Sequence, residues 1–429
     1  MSNWKEPFVR WFLEGTKQSA VSMLGVEIEH FILDNKNRAV PYSGEKGVRQ
    51  ILLRLMALYP DAEIIPDDDF FGFSVPEFTV TLEPASQLEL SISPTPEIRR
   101  IGQIYREFRR NLDAVLEAFG YSAVSCGCQP ESRAADLELI PKKRYGLMHE
   151  YFKGTGTGGA EMMRGTASLQ VSVDYHSESD FRRKIQAAFY YSPVFKLLCD
   201  NASSFQGIPL QTCLKRTDIW RRVDPDRCGI LPGIFDSSYG FADYADFLGA
   251  MPPIFLKYGH QVLPTGDKTV AELFSDKEPD KEETAHILSM AFPDVRLKSV
   301  LEIRFADSVP LPFMLAYCSL VKGLIYSEEG LAHAEEQIVR NDFSETAVLQ
   351  AEDDIMKNGW QAAVYGCRVG ELAEQWLALA QRNLSEEEGK YLEAFYITAE
   401  YGGIRAIPEE KYRLLRDDCC ECERTEDKK

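Results

Sequence analysis

A chain of 429 residues with 45% apolar and 27% charged residues carries enough apolar surface for a sizeable core, which excludes a disordered or fibrous protein. A net charge of −19 argues against a broad nucleic-acid or anionic-membrane surface, and no apolar run reaches the roughly 20 residues that span a bilayer. The opening Met1-Ser2-Asn3-Trp4-Lys5-Glu6 has no signal-peptide layout, so the expectation is a cytoplasmic protein with neither nucleic acid nor membrane as partner.

Along the chain, alternating β-branched and polar residues predict strands over 24–33 and 79–93. Thr95 and Pro96 read as a helix cap and first turn, after which Ile98, Ile101, Ile104, Phe108, Leu112, Val115 and Leu116 recur at helical spacing towards Gly120. The run 153–159, Lys-Gly-Thr-Gly-Thr-Gly-Gly, has neither the P-loop ending nor the dinucleotide fingerprint and is expected to be a flexible, substrate-covering loop. A strand over 167–175, a helix over 179–198, a charged loop over 275–283 and a strand over 300–305 follow. A helix over 312–338 and two or three more within 346–399 make the C-terminal third mostly helical. From Asp417 the chain is polar, which predicts a mobile tail. The ten cysteines are too sparse for a disulfide scaffold; Cys126-Gly-Cys128 and the tail group Cys419, Cys420 and Cys422 lack zinc-site spacing.

The chemistry lies in the polar sides of the strands. In Gly25-Val26-Glu27-Ile28-Glu29 both acids point to one face and the aliphatics to the other. Alone, such a motif is most simply a solvated sheet face. The pattern recurs: Glu83 closes one strand, Gln87, Glu89 and Ser91 share a face of the next, Gln170 stands with Ser168, Ser172 and Asp174, and Glu302 stands with Arg304. Carboxylates gathered on one sheet repel each other unless cations neutralise them. Hard divalent ions with oxygen ligands satisfy that need, whereas the six histidines show no metal-ligand spacing.

These residues resemble a known family. Thr81-Leu-Glu-Pro with Gln87-Leu-Glu-Leu-Ser91, Met162-Met163 through Thr166 to Gln170-Val171, and Asp226-Arg227-x-Gly229-x-Leu-Pro232 carry the likeness. So do Phe235-Asp236, Tyr239-Gly-Phe241, and Phe292-Pro-Asp-Val-Arg-Leu-Lys298 leading into Glu302-x-Arg304-x-Ala-Asp307. In this order, over about 20–330, the chain resembles the glutamate-cysteine ligases of the plant and proteobacterial type, within the glutamine synthetase-like carboxylate-amine ligases. The resemblance implies an α+β fold in which a curved, mainly antiparallel sheet holds the active site on its concave face, with helices packed outside. It implies a single catalytic domain over 1–415, with a sheet core over 20–330, a helical part over 311–415 and a flexible polar tail over 416–429.

It further implies transfer of the ATP γ-phosphate to the side-chain carboxylate of glutamate, then attack by the nitrogen of cysteine, with Mg2+ (or Mn2+) as the metal. Glu27, Glu29, Glu83, Glu89, Gln170 and Glu302 are the implied metal ligands. Gln170 and Arg304 are implied to contact ATP, and Arg304, Arg216 and Arg227 to meet phosphate or carboxylate. Arg164 is weaker, because the family's arginine falls at the position of Gly165. Ala85-Ser86 replaces a glycine pair, and 67–73 has no counterpart. The implied partners are the small molecules glutamate, cysteine and ATP, acting on a monomer or homodimer. Three alternatives stay open: a different amine acceptor, a non-catalytic relative that binds nucleotide or glutamate, and metal-dependent hydrolysis.

Overall fold

Alternation of apolar and polar residues along nine segments pairs them into one open antiparallel sheet. The segments are β1 (Leu24–Leu33), β2 (Glu63–Ile64), β3 (Gly72–Val75), β4 (Phe78–Leu82), β5 (Leu88–Thr95), β6 (Ser122–Val124), β7 (Ser168–Val173), β8 (Val295–Leu297) and β9 (Leu301–Asp307). Their order is β8-β9-β7-β1-β5-β4-β3-β2, with β6 on the far end of β1. The computed structural model describes residues 3–19, 21–258 and 261–421.

One face of the sheet is apolar. Val26 and Ile28 of β1 lie beside Leu90 and Ile92 of β5 and Leu169 and Val171 of β7, all at most 3% exposed. The helices Ile98–Glu117, Glu178–Leu198 and Leu311–Ile325 cover it. At about 25 cal/mol per Å2 of apolar surface, this burial is the main favourable term in folding. A single apolar cluster runs from Phe8 through the sheet into the C-terminal helices as far as Leu415. The α+β architecture with a mainly antiparallel sheet is therefore as expected.

Several boundaries differ. The strand structure expected over 79–93 is a hairpin, β4 and β5, broken at 83–87. Its second strand runs through Thr95, so the helix is capped at Glu97 rather than at Thr95. The helix expected over 312–338 is two, Leu311–Ile325 and Glu328–Arg340, because the Ser327 side chain accepts from the Gly330 N–H and starts a new turn. Four α-helices occupy 345–401. The last third of the expected loop 275–283 belongs to a helix, Lys281–Leu288, started by an Asp280 capping box.

The glycine run is fastened rather than free. Gly158 N–H donates to Arg222 O at 2.8 Å, Thr155 Oγ1 donates to Val223 O at 2.8 Å, and a Cβ on Gly156 would collide with Arg222 O. The tail is likewise partly helical, Glu409–Glu421; the rest of it, with Cys422, and the side chains of Cys419 and Cys420 lie outside the described part. The Cys126-Gly-Cys128 motif is explained by its glycine, since the Asp307 carboxylate fills the space a Cβ on Gly127 would take. Both cysteines are free thiols.

Candidate active site

The polar face of the central strands becomes one wall of a cavity of about 250 Å3. Register brings the acids together: Glu29 pairs with Glu89 across β1 and β5, and Glu27 pairs with Gln170 across β1 and β7. Glu83 joins them from the turn after β4. That turn is held by Gln87, whose Oε1 accepts from the Ala85 N–H at 2.9 Å and whose Nε2 donates to Thr166 O at 3.0 Å.

The four acids are under strain of charge. Burial, then Glu89 and Glu302, pushes the Glu27 carboxyl up to about 7. Glu29 and Glu89 are raised, chiefly by burial, and Glu83 is raised well above the usual range by burial and by Glu89 and Glu29. Hydrogen bonds offset part of this. Glu29 accepts from Ser168 N–H at 2.9 Å and Ser168 Oγ at 2.7 Å, and Glu89 accepts from Thr81 Oγ1 at 3.0 Å and Ser91 Oγ at 3.2 Å.

Glu302 is the exception. Although 4% exposed, it meets Arg296 Nε at 2.6 Å, Lys298 Nζ at 2.7 Å and Arg304 Nη1 at 3.4 Å. Burial opposes ionisation there, yet these three cations, Arg296 foremost, hold its carboxyl well below the usual range. Its oxygens are engaged by Arg296, Lys298 and Arg304, which it anchors in this structure. Gln170 is engaged similarly: its Oε1 accepts from Arg304 Nη1, and its Nε2 lies 3.3 Å from Ser168 Oγ.

Arg144, Arg216, Arg296 and Arg304 also line the cavity, with Trp220, Phe292, Met148, Met162 and Met163. Arg216, 5% exposed, donates through Nη2 to Arg304 O at 3.1 Å, while its Nε and the Trp220 Nε1 are buried donors without an acceptor among the described residues. Buried donors of this kind fit an anionic ligand. Arg227 is not brought here. It is 0% exposed and fully consumed by Asp224 at 2.5 Å, Met290 O, Pro252 O and Tyr151 OH, so it braces the loop instead of meeting substrate. Arg164 also points elsewhere, donating to Leu137 O and to His149.

Arg144, Arg296 and Lys298 were missed as site residues. The base-apolar alternation of Val295-Arg-Leu-Lys298 was the available signal for two of them, since β8 pairs Arg296 with Glu302. Among the described residues no group of three His, Cys, Asp or Glu side chains converges on one metal position. The donors not engaged by cations, Glu27, Glu29, Glu83 and Glu89, are all hard oxygens in want of positive charge, a donor set that would suit Mg2+.

Fold and cavity together place acids of a sheet face and arginines around a space for small molecules. Residues 23–402 match the family described as glutamate-cysteine ligase family 2 (GCS2), and the chain belongs to that family. It is 26% identical over 422 residues to a chloroplastic glutamate-cysteine ligase of Arabidopsis thaliana, covering 90% of this chain and 80% of the relative. A chloroplastic glutamate-cysteine ligase of Brassica juncea is 28% identical over 355 residues, covering 79% and 68%. The glutamate-cysteine ligase of Francisella tularensis solved in complex with AMP shares the fold, with a TM-score of 0.54 at 9% identity over 95% of this chain and 94% of that one. The cytoplasmic placement expected from the sequence does not stand, because the curated relatives it matches are chloroplastic enzymes.

Proposed function

We propose that the chain, working as one catalytic unit, forms γ-glutamylcysteine from L-glutamate and L-cysteine through a γ-glutamyl phosphate, with Mg2+ as cofactor and Mn2+ able to replace it. The observation that carries this is the meeting, in one cavity, of four acids in want of cations and of arginines in want of anions. Carboxylates among Glu27, Glu29, Glu83 and Glu89, no three of which converge on one position, would hold the metal. When bound, it neutralises ATP phosphate oxygens as charge moves to the leaving ADP.

The remaining work falls to the chain's own groups. Arg304, fixed by Gln170 and Glu302, faces the transferring phosphoryl group. Arg216 presents its free Nε–H to a substrate carboxylate. Phosphorylation converts that unreactive γ-carboxylate into an acyl phosphate with a good leaving group. Met148, Met162, Met163 and Phe292 keep water from it until the amine attacks.

The test is incubation with glutamate, ATP, Mg2+ and a panel of amines including cysteine, reading ADP and product mass. ADP with γ-glutamylcysteine, lost in Arg304→Met, is expected. ADP with another γ-glutamyl amide would move the assignment to a different acceptor, and no ATP turnover on any amine would overturn it.

A further inference from the structure

The C-terminal helices contribute no residue to the cavity wall, yet one of their side chains is tied to both of its arginine-bearing sides. Glu352, on the helix Glu345–Asn358, is 1% exposed. It accepts from Lys196 Nζ at 2.5 Å and from Arg221 Nη2 at 2.5 Å.

Each partner leads to the cavity. Arg221 ends the helix Lys215–Arg221, which carries Arg216 and Trp220 into the cavity wall. Lys196, 3% exposed on Glu178–Leu198, also meets Asp294 Oδ2 at 2.5 Å. Asp294 in turn follows Phe292 of the wall, and its carbonyl accepts from the Arg304 N–H at 2.9 Å. A small second space, lined by Lys196, Arg216, Trp220, Asp294 and Arg304, lies where these walls meet. A buried carboxylate held between two cations is poor value as a stabiliser, since apolar residues of the same volume serve a core as well or better. It does fix geometry, because each ion pair has one good arrangement.

Resting on the ligase assignment above, we infer that Glu352 is a positioning residue for the reaction: through Lys196–Asp294 and through Arg221 it sets Arg304 and Arg216 at the distance the substrates require. The C-terminal helices thus act on catalysis without touching substrate. Displacing two cavity arginines by a fraction of an ångström lowers kcat/KM, where loss of a mere brace would lower only the fraction folded.

The experiment compares the wild type with Glu352→Gln, Arg221→Met, Arg221→Lys and Lys322→Met. Lys322 pairs with Glu388 at 2.6 Å, donates to Pro96 O at 2.8 Å and does not line the cavity, so its variant controls for loss of a half-buried ion pair away from the cavity wall. Steady-state kinetics for glutamate and ATP are read below each variant's unfolding transition, with unfolding midpoints alongside. Glu352→Gln and Arg221→Met are expected to lose about tenfold or more in kcat/KM per folded molecule, with Arg221→Lys recovering part of it and Lys322→Met keeping wild-type kinetics. The Arg221 side chain is 24% exposed against 2% for that of Glu352, so its variants disturb the core less than Glu352→Gln does. Unchanged kinetics in Arg221→Met and in any folded Glu352→Gln would overturn the inference alone. A wild type that releases no ADP overturns the ligase assignment and this inference with it.

Discussion

Glu302 and Glu27 share the polar face of the sheet but stand in opposite electrostatic conditions, and their amide variants separate the two. Glu302→Gln leaves Arg296, Lys298 and Arg304 without their shared counter-charge, so a loss of about 3–5 kcal/mol in unfolding free energy is expected together with loss of turnover. Glu27→Gln removes a carboxylate that burial and its acidic neighbours already disfavour. Its unfolding midpoint in metal-free buffer should equal or exceed the wild type's while ATP turnover falls by about 100-fold or more; a clear destabilisation would contradict the unbalanced charge. Asp307 supplies a pH test away from the acids of the cavity. Burial, then Asp200, raises its carboxyl to about 7 in the folded chain, where it also accepts from the Asn201 N–H at 3.0 Å. Its folded value lies above its unfolded one, so the stability it contributes is full at acid pH and lost as pH rises through about 7. In urea unfolding between about pH 6 and pH 8.5, the wild type should lose more stability than Asp307→Asn; parallel profiles would refute this.

The hairpin turn of β4 and β5 shows what a local departure costs. Ser86 stands where a glycine pair is expected and takes φ +68, held by a bond from its own N–H to Glu83 O at 2.9 Å. A side chain in the left-handed region costs roughly 1–2 kcal/mol, partly offset by the greater freedom glycine has when unfolded, so Ser86→Gly should stabilise by roughly 0.5–1 kcal/mol. Thermal unfolding checks the sign. The strands with their acids were legible because a period of two fixes the face of every side chain once the apolar residues are placed. The state of each acid was not legible: Glu302 and Glu27 have the same face, but only pairing with β8 shows that Arg296 and Lys298 attend the former. Arg144 came from a helix, Lys143–Phe152, whose approach to the cavity is purely tertiary. The break at Ser327 hid behind continued apolar spacing through Leu331, Ala334 and Ile338, although a serine followed by Glu328 and Glu329 marks a helix start. Arg227 lay in a matching motif, and a motif cannot tell a buried brace from a substrate contact.

At the scale of the molecule, a net charge of −19 is spread over the whole chain, whereas four acids meet on one wall of the cavity. Monovalent salt screens the first everywhere, whereas a divalent ion with nucleotide addresses the second at one place. Mg2+ with a non-hydrolysable ATP analogue should therefore raise the unfolding free energy well beyond sodium chloride of equal ionic strength, by about 2.7 kcal/mol at a hundredfold excess over Kd. Glu27→Gln should lose most of that increment, and equal effects of the two salts would argue against a divalent ion in the cavity.

The pairing of Glu29 with Glu89 and of Glu27 with Gln170 also limits how such a protein can change over time. A single residue inserted or deleted within β1, β5 or β7 would turn the acids into the apolar layer and the aliphatics into the cavity. Descendants of this chain are thus free to lengthen or shorten between strands, but within them can diverge only by replacement, so the acid-bearing strands should keep their length while the connections drift.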